Sequence, residues 1–475
     1  MEQYNFFGAL PFVVMWFVVQ LGILLEVLVK NPKRATFLYS CIGLGLVAIS
    51  AIIVYPQSGT TFQGMINFGG YVSFFDILFT VSGLLTIIAA RPYLNNAEFE
   101  HDEFYSVVIL AVSGMMLIAR ANNLLVLFIG IEVMSVSFYI LSGYFRSNVR
   151  SIESALKYFL LGAFATGFLL YGIALMYGST GSIEYSALAT AITADSALQL
   201  YFFLGVALFL VGLSFKLAVF PFHQWAPDVY QGAPSVVTGF MSTAGKAAAL
   251  SAFIPFTLAI FQTPLAQKYQ LILAILSAGT MIIGNVSAVA QSNVKRMLAF
   301  SSVAHAGYLM MGLVSSNTAG LQGILYYSAS YILMQIGAFV VVSVIEKNNS
   351  ENLEFSDYAG LSKKSPYLAG LMSVFMLSLA GIPPFAGFFG KYLLFTSLLD
   401  AGFLWLVIVG VVSSVISLYF YLGLIVQMYF KDGNETELPT ETGIASITLI
   451  VATIGVVLLG VLPSLLVNTF TFLPK

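Results

Sequence analysis

Fourteen long apolar segments occupy most of this 475-residue sequence, and they restrict the folds that the chain can adopt. Each segment is close to the ~20 residues that a helix needs to cross a bilayer, whereas a membrane barrel would show alternating segments of about 10 residues. The sequence therefore predicts an all-α polytopic membrane protein. The predicted spans are residues 11–29, 36–55, 71–90, 105–120, 123–143, 155–178, 199–220, 235–262, 269–289, 296–315, 319–346, 367–399, 403–429 and 443–467.

Composition excludes several classes of protein. Charged residues make up 8% of the chain, against the ~25% that is usual in soluble domains. The hydrophilic loops are too short to fold alone, and there is no basic tract for nucleic acid. The N-terminus lacks a basic region, so we expect no cleaved signal peptide. The single cysteine, Cys41, excludes disulfides and cysteine-ligated iron–sulfur clusters within the chain.

The stretch from Phe215 to Ala249 combines charge with a broken helix. Lys216 and Lys246 each lie in a segment that is otherwise apolar, and three prolines interrupt the chain between them. A charged residue inside the membrane is costly and usually functional. Broken helices at membrane depth persist where they are buried in protein or line a wet cavity. We therefore expect the functional site in this region.

The distribution of Lys and Arg predicts the orientation, because these residues concentrate in cytoplasmic loops. The loops on one side hold twelve of them and the loops on the other side hold three, so we expect both termini on the non-cytoplasmic side. The twelve are Lys30, Lys33, Arg34, Arg91, Arg146, Arg150, Lys295, Arg296, Lys347, Lys363, Lys364 and Lys431. The three are Arg120, Lys268 and Lys475.

A weak internal repeat relates two sets of five spans, the fourth to eighth and the ninth to thirteenth. An odd number of spans inverts the second copy. The fourth member of each set is interrupted, at Pro221 in the seventh span and at Pro383-Pro384 in the twelfth, which is the sequence signature of a midplane ion site. The predicted segments are a three-helix N-terminal part, two inverted five-helix repeats and a C-terminal helix. Their bounds are 1–104, 105–262, 269–429 and 430–475.

Four ionisable residues lie deep in these spans, where a charge costs about 3 kcal/mol or more. They are Glu132, Lys216, Lys246 and Lys391. We interpret them as a proton relay, and the alternative is a set of ion pairs that only fasten helices. Lys157 lies a few residues into its span, so its side chain reaching to the interface is a further alternative.

Lysine suits proton transfer in an apolar site. Burial lowers the pKa of a lysine and a nearby carboxylate raises it. Movement of Glu132 towards or away from a lysine would therefore load or unload a proton without a redox group. His305 would relay protons between water and Lys246, unless it only bonds a backbone carbonyl, and the same two interpretations apply to His223.

Other charged residues have weaker interpretations. Asp228 follows Pro227, and we expect it to cap or end the short helix after the break. Glu26 and Asp76 lie outside the repeats and either face a neighbouring subunit or tie their helices to the bundle. His101 lies among acidic residues and is expected in a solvated loop. The sequence shows no metal-ligand cluster.

Three segments resemble the antiporter-like membrane subunits of respiratory complex I, the proton-pumping NADH:quinone oxidoreductase. The similarity covers about residues 105–430. Within this family, the sequence resembles the N subunit in three features. These are the WAPDVYQGAP motif, the lysine at position 391, and the absence of a long lateral helix after the last span. The three segments are HQWAPDVYQGAPSVVTGFMSTAGKAAA, SNVKRMLAFSSVAHAGY and LAGIPPFAGFFGKYLLF.

The resemblance implies a role for each candidate residue. Glu132 and Lys216 would form an ion pair, Lys246 with His305 would be the central relay, and Lys391 would lie on the exit side. Lys157 would belong to a charged axis that links one antiporter-like subunit to the next. NADH, FMN, iron–sulfur clusters and quinone would be bound by other subunits, and this chain would hold no cofactor.

The sequence thus predicts a proton-translocating subunit in a bacterial inner membrane. Its expected partners are the other membrane-arm subunits, including a second antiporter-like subunit, and the lipid bilayer. One alternative is a subunit of a multi-subunit cation/proton antiporter, which shares the fold. Another is a structural spacer in the membrane arm whose charges only hold helices together.

Overall fold

The computed structural model describes residues 4–29, 33–96, 101–190, 196–346, 353–433 and 442–473. Lys30, Lys347 and Lys475, which contribute to the predicted orientation, lie outside these ranges. The described chain is almost entirely helical, and twelve of its helices are long and apolar enough to cross a membrane. The prediction of an all-α polytopic membrane protein is confirmed, with one small sheet added.

The first half of the described chain contains ten helices and the sheet. The helices are α1 (Leu10–Leu28), α2 (Lys33–Val54), α3 (Gly70–Asn96), α4 (Glu103–Arg120), α5 (Leu124–Ser142), α6 (Val149–Thr180), α7 (Tyr185–Thr190), α8 (Ser196–Leu217), α9 (Trp225–Gly232) and α10 (Ser235–Ile260). Strands β1 (Ser58–Thr61) and β2 (Ile66–Gly69) pair antiparallel between α2 and α3, with Ser58 opposite Gly69.

The second half contains α11 (Ala266–Val289), α12 (Val294–Ser315), α13 (Thr318–Ile345), a 3₁₀ turn (Phe355–Tyr358), α14 (Leu361–Lys364), α15 (Pro366–Ala380), α16 (Ala386–Asp400), α17 (Leu404–Phe430), α18 (Ala445–Val461) and α19 (Ser464–Val467). Helices α15 and α18 are apolar but shorter than the twelve. Each predicted span overlaps a helix, except that the twelfth is divided into α15 and α16 and the fourteenth into α18 and α19.

Asparagines begin four of the spanning helices. The side chain of Asn123 accepts hydrogen bonds from the backbone N–H groups of Leu125 and Val126 at the start of α5. Asn148, Asn293 and Asn317 do the same for α6, α12 and α13. An N-cap side chain satisfies donors that the first turn leaves free, and asparagine does so without adding charge.

Both predicted breaks are present. Helix α8 ends at Leu217, Ala218 adopts the left-handed region at φ 57°, and α9 follows Pro221. Helix α15 ends at Ala380, and Gly381 takes φ 85°, as is common after the last residue of a helix. The chain therefore carries two half-helix pairs whose ends lie inside the protein.

Helices α10, α12 and α13 form the centre of the bundle. Nearly every residue of these three helices is buried, and they pack against one another. Helices α1, α6 and α17 instead expose many large apolar side chains. Such a surface suits lipid or neighbouring membrane subunits. The three central helices carry Lys246, His305 and their polar neighbours.

Close packing of α4 against α5 depends on two glycines. A Cβ atom at Gly114 would lie 2.5 Å from the backbone nitrogen of Met134, and one at Gly130 would lie 2.8 Å from that of Ile118. Small residues at such contacts let backbones approach, and membrane helices pack by this means.

We predict that Gly114→Val reduces the amount of assembled protein, because the valine cannot fit without separating α4 from α5. The cost expected for such overpacking is about 1–3 kcal/mol or more. Gly178→Val is the matched control, since Gly178 is exposed on α6 and a Cβ there meets nothing within 4 Å. Native gels of solubilised membranes measure the outcome, and equal assembly of both variants would contradict the packing argument.

Candidate functional site

Lys216 lies in the last turn of α8, next to the first break. Its side chain is buried, and its Nζ donates a hydrogen bond of 2.7 Å to the hydroxyl of Ser135 on α5. The ring centroid of Tyr139, one turn further along α5, lies 5.7 Å from the same Nζ. The lysine therefore contacts a hydroxyl and an aromatic face.

Glu132 lies one turn before Ser135 on α5, and its carboxylate interacts electrostatically with Lys216. The two charges are not in direct contact: within the described ranges, no Glu132–Lys216 ion pair has a nitrogen–oxygen distance of 4.0 Å or less. The Oε1 atom of Glu132 is buried and has no hydrogen-bond partner there. The structure thus places the expected pair near each other, with Ser135 taking the bond from Lys216.

Lys246 lies in the middle of α10 and is completely enclosed. Its Nζ donates to the backbone carbonyl oxygen of Ser302 on α12. That carbonyl lies one helical turn before His305, so the central lysine and the histidine belong to one polar site between α10 and α12.

His305 lies between two tyrosine hydroxyls rather than against a backbone carbonyl. Its Nδ1 is 2.6 Å from the hydroxyl of Tyr327 on α13, and its Nε2 is 3.1 Å from that of Tyr421 on α17. The Tyr421 hydroxyl also bonds the hydroxyl of Ser301. This network can pass a proton between hydroxyls and the imidazole, since each member both donates and accepts.

Lys391 lies in α16 and reaches back to the end of α15. Its Nζ donates to the carbonyl oxygens of Leu379 at 3.1 Å and Ala380 at 3.0 Å, and to the Ser414 hydroxyl at 2.9 Å. These carbonyls belong to the last turn of α15, where helix geometry leaves them without partners and negative. The break thus creates a binding site for an ammonium group.

An aromatic ring connects Lys391 with the central site. The Nζ of Lys391 lies 4.8 Å from the ring centroid of Tyr308, and that ring is 5.8 Å from the ring of His305. Lys246, His305, Tyr308 and Lys391 therefore follow one another across the bundle. The tyrosines were not among the predicted site residues; the spacing of Tyr327 and Tyr331 on one helical face was the available signal.

The three buried lysines share one property. In the part of the chain that the structure describes, Lys216, Lys246 and Lys391 have no carboxylate within ion-pair distance. Two other buried cations do have one: Arg120 pairs with Asp76, and Lys295 pairs with Glu346 at 3.2 Å.

The prediction that Lys295 lies in a loop is wrong. This lysine lies in the first turn of α12, and its side chain is fully buried. The partner Glu346 directly follows α13 and is also buried. Sequence patterns gave no sign of this pair because both residues adjoin span ends, where exposed charges are the usual case.

Lys157 belongs to a partly exposed ion cluster. Its side chain is 41% exposed, and its Nζ lies 2.7 Å from Glu153 and 2.9 Å from Asp228. Asp228 also pairs with Arg296 at 2.7 Å. The expectation that Asp228 caps the short helix α9 is wrong: it lies in the first turn and joins α9 to α6 and α12 through its two cationic partners.

The remaining candidates have local roles. Glu26 accepts from the Ser106 hydroxyl, and Asp76 pairs with Arg120, so both acidic residues tie their helices to α4. His223 is buried, and its Nδ1 has no partner within the described ranges. His101 is exposed, as expected. Among the described residues, no group of three or more His, Cys, Asp or Glu side chains is arranged to hold a metal.

Comparison with known proteins identifies the family to which the chain belongs. Residues 121–417 match the family model described as NADH:quinone oxidoreductase/Mrp antiporter, TM. The subunit N of NADH-quinone oxidoreductase from Salinibacter ruber is 44% identical over 88% of this chain and 87% of its own. A chain in the structure of respiratory complex I from Thermus thermophilus with bound aureothin is 33% identical, with a TM-score of 0.84, 98% of this chain covered and 100% of that one.

A chain of the Mrp complex from a Dietzia species has a TM-score of 0.86, with 98% of this chain and 96% of that chain covered. Its identity is 21%, so this similarity concerns the fold. The fold and the buried lysines define an antiporter-like polytopic membrane protein. The chain belongs to the NADH:quinone oxidoreductase/Mrp antiporter membrane family, in the branch of the subunit N proteins, and the resemblance seen in its sequence is confirmed.

We predict that Lys157→Ala is milder than Asp228→Ala. Removing Lys157 deletes two partly exposed ion pairs, with Glu153 and Asp228, for which about 0.2–1 kcal/mol each is typical, and Asp228 keeps its pair with Arg296. Removing Asp228 leaves Lys157 and Arg296 without their shared carboxylate. Thermal melting of the purified assembly should therefore show a smaller decrease in Tm for Lys157→Ala than for Asp228→Ala. A larger decrease for Lys157→Ala would contradict the arrangement of this ion cluster.

Proposed function

We propose that this chain is a proton-translocating subunit in the membrane arm of an NADH:quinone oxidoreductase. Subunit N proteins that are 36–44% identical to it carry that enzyme's name. NADH, FMN, iron–sulfur clusters and quinone would be held by other subunits of the complex. Quinone reduction there would act on this chain at a distance, through conformational or electrostatic change.

The observation that carries the proposal is the set of three buried lysines without a carboxylate in contact. An ammonium group enclosed without a counter-ion is costly, whereas a neutral amine is accommodated easily. Arg120 illustrates the fastened alternative, because it is buried together with its acid, Asp76. The unpaired lysines are therefore the groups that can give up and regain a proton within the membrane.

The proposed path has the order Lys216, Lys246, His305 and Lys391, and the contacts through Ser302 and Tyr308 support its part from Lys246 to Lys391. Approach of the Glu132 carboxylate would favour the charged form of Lys216, and its withdrawal would favour release of the proton. Lys246 would pass a proton to the hydroxyl network around His305. Lys391 would receive it at the end of α15, where carbonyl oxygens stabilise the ammonium.

An inverted repeat accounts for the placement of these groups. The proposed copies are residues 105–262 and 269–429, flanked by segments 1–104 and 430–475. The break after α8 lies beside Lys216, and the break after α15 lies beside Lys391. Broken helices in corresponding positions are where inverted-repeat transporters bind their ions.

The Lys and Arg distribution supports an orientation with both termini on the non-cytoplasmic side of a bacterial inner membrane. The ion cluster of Lys157, Asp228 and Arg296 would then lie near the cytoplasmic face. Because Lys157 is partly exposed at the surface of α6, it suits a charged axis that continues into a second antiporter-like subunit.

The antiporter alternative makes different predictions. A subunit of a multi-subunit cation/proton antiporter would purify without a flavin and iron–sulfur arm, and its loss would produce sodium-sensitive growth. A purely structural spacer predicts that buried cations are paired, which describes Arg120 but not Lys216, Lys246 and Lys391 within the described ranges.

We predict that Lys246→Ala leaves assembly intact and lowers proton translocation, by about tenfold or more if proton transfer becomes limiting. Lys216→Ala should act in the same direction. The measurement is the rate of proton translocation, together with the number of protons translocated per NADH oxidised, in membrane vesicles, with assembly checked on native gels. Lys268→Ala, at an exposed position, is the control and should behave as wild type. Wild-type pumping by assembled Lys246→Ala would exclude this lysine from the path.

A further inference from the structure

The buried pair of Lys295 and Glu346 is more than a single ion contact. Glu346 accepts from Lys295 at 3.2 Å through Oε1, and from Tyr93 at 2.8 Å and Ser235 at 2.6 Å through Oε2. Lys295 also donates to the carbonyl oxygen of Ala233 at 2.6 Å. The ends of five helices, α3, α9, α10, α12 and α13, meet here, and both charges are satisfied in a site without exposure.

The pair lies at the same end of the bundle as a surface cavity. A cavity of about 220 Å³ is lined by the ion cluster of Lys157 and Asp228 and by Gly232. Gly232 directly precedes Ala233, whose carbonyl binds Lys295. The chain segment that lines the cavity therefore continues directly into the residue that binds Lys295.

Lys246 points towards this pair. Side chains of a helix tilt towards its N-terminus, and α10 begins at Ser235, beside Glu346. The Nζ of Lys246 accordingly reaches the carbonyl of Ser302, seven residues after Lys295 on α12. At 1.5 Å per residue, about 10 Å along the helix separates the ammonium from the pair.

Buried polar side chains occupy this interval. Ser235, Thr238, Ser242 and Lys246 follow one face of α10 at helical spacing. From α13, Gln335 donates through Nε2 to the carbonyl oxygen of Leu298 at 3.2 Å, halfway between Lys295 and Ser302. The interval is therefore polar on at least two of its sides.

Three buried polar atoms in this interval have no hydrogen-bond partner within the described ranges: the Oε1 of Gln335, the hydroxyl of Tyr331 and the hydroxyl of Ser302. Buried polar atoms are nearly always bonded, to protein or to water. Gln335 bonds Leu298, midway along α12 between Lys295 and Ser302, so atoms of this kind suit a short chain of water molecules there.

We propose that Glu346, held by Lys295, is the group that loads protons from the cytoplasmic side onto Lys246, with Gln335 positioning the water between them. This inference rests on the proposed function. One proton from the cavity converts the Glu346 carboxylate to the acid, and the same proton then moves to the neutral amine of Lys246. The carboxylate and its pair with Lys295 are restored, so no charge is left behind.

The decisive experiment replaces both charges at once, Lys295→Gln with Glu346→Gln, in the intact complex. If the pair only fastens helices, two neutral hydrogen-bonding side chains should preserve function, because replacing a whole buried pair is often neutral. The loading role instead predicts normal assembly on native gels with NADH oxidation and proton translocation lowered by roughly tenfold. Wild-type pumping by the assembled double variant overturns the proposal.

The matched control is Asp76→Asn with Arg120→Gln, which neutralises the other fully buried pair, on α3 and α4. It should assemble and pump as wild type, and an equal loss of pumping there would overturn the specific role of Glu346. Gln335→Leu keeps the size of the side chain and both charges, and should also slow pumping. If the double variant fails to assemble, the Gln335→Leu variant tests the proposal instead. Proton translocation at the wild-type rate by Gln335→Leu would then overturn the proposal.

Failure of this inference is distinguishable from failure of the proposed function. Normal pumping by the Lys295→Gln, Glu346→Gln variant, together with impaired pumping by Lys246→Ala, would exclude Glu346 from the proton path and leave the central relay in place. Normal pumping by Lys246→Ala would exclude both Glu346 and the central relay.

Discussion

The cost of enclosing a lysine charge in a membrane protein determines how this structure works. Within the described ranges, three lysines are buried without a carboxylate in contact, and their hydrogen bonds go to neutral dipoles: a hydroxyl for Lys216, a carbonyl for Lys246, and a helix end with a hydroxyl for Lys391. Dipoles lower the cost of the ammonium without fixing it as firmly as a carboxylate would. The site can therefore hold either the charged or the neutral form.

The helix breaks contribute to this balance between the charged and the neutral form of the lysines. Carbonyls within a continuous helix already accept a backbone hydrogen bond, whereas the end of α15 presents to Lys391 two carbonyls that have no partner within the helix. The fully buried helices α10, α12 and α13 surround the path and exclude bulk water from it. Exposed apolar helices around this core face lipid or other subunits.

The sequence predicted those parts of the fold that depend on period and composition. Spans, breaks and deep lysines follow from hydrophobicity and proline, which act locally. Contacts between distant segments were less accessible. The pair of Lys295 and Glu346 joins two span ends, and the hydroxyls around His305 come from α13 and α17, so only tertiary packing brings them together. Likewise, spacing could not reveal that Ser135 takes the bond from Lys216.

The most direct test of the account gives one lysine the counter-ion that it lacks. Ser414 bonds Lys391 at 2.9 Å, so Ser414→Asp would place a carboxylate beside the ammonium, and Ser414→Asn is the uncharged control of the same shape. Proton translocation per NADH should fall sharply in the assembled aspartate variant, because a paired lysine keeps its proton, and should be largely retained in the asparagine variant. Wild-type translocation with the aspartate in place would contradict a relay through unpaired lysines.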